Sequence, residues 1–135
     1  MSLADELSNT KYSLMRALLE NQDFFHEFYD TFFQSSPVIP EMFKDTDFRK
    51  QRELLRQGIE LMIWFAEGDA AAREKLLKIA VIHKRFRLTP EMYDLWRNSL
   101  LKILAKNDPE FSPALEAAWN TVLSRGIDFF LEHGS

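Results

Sequence analysis

Along almost the whole chain, apolar side chains return every three or four residues, and no stretch alternates with period two long enough to make a strand. That pattern restricts the chain to helices packed on helices. Leu3, Leu7, Leu14 and Leu18 give a first amphipathic helix. The segment QDFFHEFYDTFF follows, in which Phe24/Phe25, Phe28/Tyr29 and Phe32/Phe33 repeat every four residues. This aromatic stripe is closed by Ser35, Ser36 and Pro37. VIPEMF makes a short turn or helix that delivers Phe43. A long helix starts near Asp47 and carries Phe48, Leu55, Ile59, Met62 and Ala66 as far as Glu67-Gly68. Asp69 is placed to cap the next helix, with Leu76, Ile79, Ala80 and His83 along it. Thr89-Pro90-Glu91 and Ser112-Pro113 are two further helix starts, each a hydroxyl cap followed by proline. The first leads into Tyr93, Trp96, Leu100 and Ile103 and breaks at Asn107-Asp108-Pro109; the second leads into Leu115, Ala118, Trp119, Val122 and Phe130. The pattern predicts an all-α fold of about six to seven helices in a single domain, residues 1–135.

Several function classes drop out. With no cysteine there are no disulfides, thiolate metal sites or cysteine nucleophiles. A net charge of −4 and no basic stripe argue against nucleic acid as a partner. No apolar run is long enough for a bilayer, so no membrane partner is expected. The acidic start MSLADELSN lacks a hydrophobic signal segment, which points to a cytoplasmic protein. The four glycines are scattered and build no phosphate-cradling loop. No paired histidines or Glu-x-x-His pairs suggest a zinc or di-iron centre, and no nucleophile with its base assembles, so no catalytic residue is assigned. With three histidines, a metal would be held by one imidazole, by carboxylates or inside a cofactor.

Three inward-facing polar groups remain. His83 is the one histidine embedded in an apolar helical pattern, with Ile79 and Ala80 one turn earlier; His26 is expected to face outward and His133 to lie in a C-terminal tail. Tyr29 extends the aromatic stripe, either as a core ring bonded to a carbonyl or as a hydroxyl aimed into a pocket. Gln51 lies one turn before Leu55, at a solvated edge of the stripe or inward. Twelve phenylalanines, three tyrosines and three tryptophans either line a wide space or fill an aromatic core. A haem would give the set one use: imidazole supplies an axial ligand, and a hydroxyl and an amide donate to a gas whose outer atom takes on negative charge.

FYDTFFQSSPVIPEMF, QRELL, KIAVIHKRFRLTPEMY and the Ala118-Trp119 pair resemble the globins of bacteria, above all single-domain bacterial haemoglobins and the globin domain of flavohaemoglobins. The resemblance runs from about Leu7 to the C-terminus. It implies a globin fold around a five-coordinate haem b (iron protoporphyrin IX), with His83 as the metal ligand. Phe43, Leu55, Phe86 and Tyr93 would join His83 in holding the cofactor. Tyr29, Gln51 and Leu55 would line the ligand side, and Pro37 would start the short helix that places Phe43. Tyr93 matches a proximal tyrosine that in flavohaemoglobins works with a glutamate of the last helix. Glu132 is the candidate here but stands two residues before the expected register, so a carbonyl such as that of Ile79 is the simpler partner for His83. The implied function is reversible binding of oxygen and the related gases nitric oxide and carbon monoxide, for storage or delivery. The alternatives are nitric oxide dioxygenation, which would need an external reductase in place of the flavin and nicotinamide domains of flavohaemoglobins, and a gas-sensing or haem-free helical interaction module.

Overall fold

Five helices begin at a side-chain cap, which satisfies backbone N–H groups that have no partner inside the helix. In the computed structural model, which describes residues 2–134, Ser2 accepts from the Asp5 N–H, Asp47 from Arg49 and Lys50, and Asp69 from Ala72. Thr89 accepts from Met92 and Ser112 from Leu115, each with proline opening the helix behind it. The helices are α1 (Leu3–Glu20), α2 (Phe24–Gln34), α3 (Val38–Met42), α4 (Phe48–Ala66), α5 (Ala70–His83), α6 (Pro90–Asn107) and α7 (Pro113–His133). A single 3₁₀ turn, Lys84–Phe86, follows α5, and the described residues contain no strand. The fold is therefore all-α, as the periodicity predicts.

Connections follow local chemistry. Between α4 and α5 the chain reverses at Gly68, whose φ of +93° is a conformation that side chains with a Cβ rarely adopt. Gly126 allows a close crossing of α7 over α4: a Cβ there would lie 2.7 Å from the Met62 methyl.

The buried side chains form one continuous core, with α7 packed against α1, α4, α5 and α6. Trp119 is fully buried at its centre. The face of α1 differs from the expected row of leucines. Leu7 and Leu14 are buried, but Leu18 is half-buried and Leu3, at the helix start, is exposed. The inward row is completed by Thr10, Ser13 and Ala17, because two of those positions carry hydroxyls that have dedicated partners. Thr10 donates to the Leu7 carbonyl. Ser13 donates to Asp108 at 2.7 Å and accepts from the Trp119 indole N–H at 2.9 Å. Arg16 completes the set with two bonds to Asp108, at 2.7 and 3.0 Å. One buried carboxylate at the end of α6 thus ties α1, α6 and α7 together. Burial alone would raise the Asp108 pKa, but Arg16, Ser13 and the Glu110 N–H together hold it below the usual carboxylate range.

Candidate functional site

Helices α2 to α7 leave a cavity of about 560 Å³ between them. Its far wall comes from Tyr29 and Phe32 of α2, Ile39 and Met42 of α3, Phe43 beyond them, and Gln51, Leu55, Gly58, Ile59 and Met62 of α4. Its near wall comes from Ile79, Ile82 and His83 of α5, then Phe86, Leu88, Met92, Tyr93 and Trp96, with Phe130 of α7 at the back. The size falls in the usual range for cofactor and ligand sites, and apolar side chains dominate the lining.

All seven residues expected at a site border this one cavity: Tyr29, Phe43, Gln51, Leu55, His83, Phe86 and Tyr93. Tyr29 sits on the buried face of α2, edge-on to Phe28, Phe43 and Phe48 with centroids 5.1–5.8 Å apart. The aromatic surplus is therefore concentrated where α2, α3 and α4 meet, and it fixes the phenol in place. Burial pushes the Tyr29 hydroxyl up to about 12, so it stays protonated and able to donate; a hydrogen bond with Gln51 and the charge of Arg52 offset part of that effect. Leu55 is buried one turn beyond Gln51. Phe86, half in solvent on the 3₁₀ turn, ends the near wall at its rim.

His83 is the last residue of α5, part-buried, and burial lowers its pKa, which favours the neutral ring. Its Nδ1 lies 3.1 Å from the Tyr93 hydroxyl, and Phe130 stands edge-on to the imidazole at 4.9 Å. Tyr93, not the Ile79 carbonyl, is therefore the partner of this ring. At the end of a helix the imidazole leans toward α6 and α7 instead of back along α5, which brings it to a phenol on another helix. Burial pushes the Tyr93 hydroxyl up to about 12. Glu132 is three-quarters exposed and its one ion pair is a loose one, 3.9 Å to the neighbouring His133. It lies outside the cavity lining, so it does not serve His83 or Tyr93. His133 belongs to α7, not to a tail, with its ring 4.5 Å from that of Phe129. His26 faces outward, 3.6 Å from Asp30.

Among the lining features that were not anticipated are Phe130 behind His83, the bare backbone at Gly58, and the exposed lysines Lys75 and Lys78 at the cavity edge. The lysines occupy i and i+3 on α5, a spacing that could have paired them in the sequence. Among the described residues no three His, Cys, Asp or Glu side chains converge as a metal site. The lining offers one imidazole, His83, to a metal carried inside a larger group.

The residues fit such a group. The walls suit a broad apolar body, and a Cβ on Gly58 would meet nothing within 4 Å, so the wall is left open there. Lys75 and Lys78 are the cations bordering an interior that contains no acid, which suits a porphyrin bearing carboxylates.

The fold and this cavity define an all-helical protein with a large, mostly apolar cavity between its helices. The chain belongs to the globin family, whose model matches residues 26–128. It is also similar to a protein of Pseudomonas aeruginosa PAO1 whose crystal structure is described as structurally highly homologous to a human hemoglobin. The two are 34% identical, and the alignment covers 99% of this chain and 100% of that one with a TM-score of 0.86. Globins are haem-binding proteins, and the described residues contain no helix long and apolar enough to cross a membrane.

Proposed function

We propose that this globin binds oxygen and related diatomic gases reversibly, at a haem b held by His83. The observation that carries the reading is the state of one ring. His83 borders the same cavity as Tyr29 and Gln51, its Nδ1 is engaged by Tyr93, and its Nε2 has no protein partner among the described residues. When bound, haem would supply an iron that takes one imidazole from the protein and binds a diatomic gas.

Each protein group then has a definable task. His83 would hold the iron through Nε2, which would put the ring proton on Nδ1, from where it would donate to the Tyr93 oxygen. Phe130 blocks rotation of the imidazole from behind. Tyr29, kept protonated by burial, and Gln51 would donate to a partly negative gas held in the far half of the cavity. Phe43 and Leu55 keep water out of that half, while Phe86 and the two lysines border its edge.

The proximal side favours binding over turnover. A neutral phenol is a weaker acceptor than a carboxylate, so His83 gains little anionic character from Tyr93, and no carboxylate borders the cavity. Dioxygenation of nitric oxide would in addition need electrons from a separate reductase. The test is repeated oxygenation and deoxygenation of the reduced, haem-loaded protein, followed by nitric oxide. Reversible spectra and one stoichiometric burst of nitrate are expected. Sustained nitrate production with a cellular reductase would make the protein an enzyme instead.

A further inference from the structure

A second concavity, of about 290 Å³, lies between α4 and the start of α2. Helical spacing puts it on the opposite face of α4 from the large cavity. Arg49, Arg52, Glu53 and Arg56 line the cleft, whereas Gln51, Leu54, Leu55 and Gly58 line the cavity. From α2 and its approach come Gln22, Asp23, Phe25 and His26.

Two of the three arginines of this cleft, Arg49 and Arg52, have no ion-pair partner among the described residues, and Arg56 has only an exposed contact with Glu60, at 3.2 Å. Exposed pairs of that kind are weak and exchange readily. Asp23 and Glu53 also border the cleft, and neither is ion-paired with the arginines. Three guanidiniums therefore stand against two carboxylates, in a chain whose overall charge is −4. Asp23 does not cap α2 with its side chain, so the positive end of that helix adds to the field.

We propose that this cleft is a binding site for a compact multivalent oxyanion of the phosphate class, gripped by Arg49, Arg52 and Arg56. Guanidinium forks match phosphate oxygens two at a time. A broad acidic protein face fits worse, because it would meet Asp23 and Glu53 along with the arginines. The site also stands back to back with the large cavity across α4, with Arg52 next in the chain to Gln51, and the charge of Arg52 lowers the Tyr29 pKa. An anion on Arg52 offsets that charge and weakens the support for negative charge near Tyr29. This coupling rests on the gas-binding reading; the anion site does not.

The probe is inorganic pyrophosphate, titrated calorimetrically into the haem-loaded protein at low, fixed ionic strength. The wild type should show one saturable site. Arg49→Gln/Arg52→Gln should weaken it at least about tenfold, and Lys84→Gln/Arg85→Gln, which removes the same charge elsewhere on the surface, should leave it unchanged. Circular dichroism checks that the arginine variant is folded. Absence of saturable binding, or equal loss in both variants, would overturn the site. For the coupling, pyrophosphate should speed oxygen release roughly twofold in the wild type and not in the arginine variant. Equal release rates in protein that binds pyrophosphate would overturn the coupling. Failure to form any oxygen complex would instead overturn the gas-binding reading and leave the titration result standing.

Discussion

The hydroxyl of Tyr93 lies 3.1 Å from Nδ1 of His83, so a residue of α6 engages and orients an imidazole at the end of α5. Removing the hydroxyl while keeping the ring separates that role from packing. In Tyr93→Phe the His83 N–H loses its acceptor and the imidazole becomes a poorer donor to iron. The iron–histidine stretching frequency of the reduced, haem-loaded variant should fall, with its haem content unchanged. An unaltered frequency would mean that Tyr93 only fills space.

Tyr29 and Gln51 border the same cavity and form the distal pair of the proposed site. A neutral hydrogen bond is worth about 0.5–1.5 kcal/mol net, so Tyr29→Phe should speed oxygen release roughly 2- to 13-fold. Because Gln51 and Tyr29 border the same end of the cavity and Gln51 lowers the Tyr29 pKa, Gln51→Leu added to Tyr29→Phe should cost less than the product of the two single effects. Carbon monoxide carries less negative charge on its outer atom, so its release should change less. Laser photolysis and stopped-flow mixing measure all of these rates, and fully multiplicative effects would show that the two groups act independently.

Gly58 offers a test of what the cavity is for. Replacing a mid-helix glycine removes about 0.5–1 kcal/mol of backbone penalty, and a side chain there projects into open space. Gly58→Leu should therefore stabilise the haem-free protein to denaturant while weakening hemin binding at least about tenfold. A stabilised variant with undiminished hemin affinity would place the cofactor elsewhere.

Stability against acid should centre on Asp108. Its folded pKa lies below its unfolded value, so its contribution is complete above the unfolded carboxylate range, near pH ~4, and is lost as pH falls through the folded value. Asp108→Asn should cost about 2 kcal/mol at neutral pH, because Arg16 and Ser13 lose their charged acceptor. The penalty should shrink as pH falls below ~4. Urea unfolding across that range measures it.

Much of this was legible in local sequence. The caps at Asp47, Asp69, Thr89 and Ser112 start helices where hydroxyls and carboxylates next to apolar periodicity say they must. Tyr29, Gln51 and His83 could be singled out because each is a polar group on an apolar stripe. What was not legible depends on how helices cross. The Tyr93 contact with His83 and the ring of Phe130 behind it arise where α5 ends against α6 and α7, and no period within one helix encodes that meeting. The buried hydroxyls of α1 escaped notice for the same reason, since Ser13 reads as a surface residue until Asp108 and Trp119 arrive from the far half of the chain.

The central claim is that His83 holds haem in the large cavity, and hemin titration of His83→Gly tests it most directly. Wild-type protein should give a sharp Soret band at one equivalent, with the reduced form five-coordinate. The variant should lose that axial bond, and added imidazole, filling the space left by the side chain, should restore the wild-type spectrum. A variant whose spectrum matches the wild type without imidazole would contradict the claim.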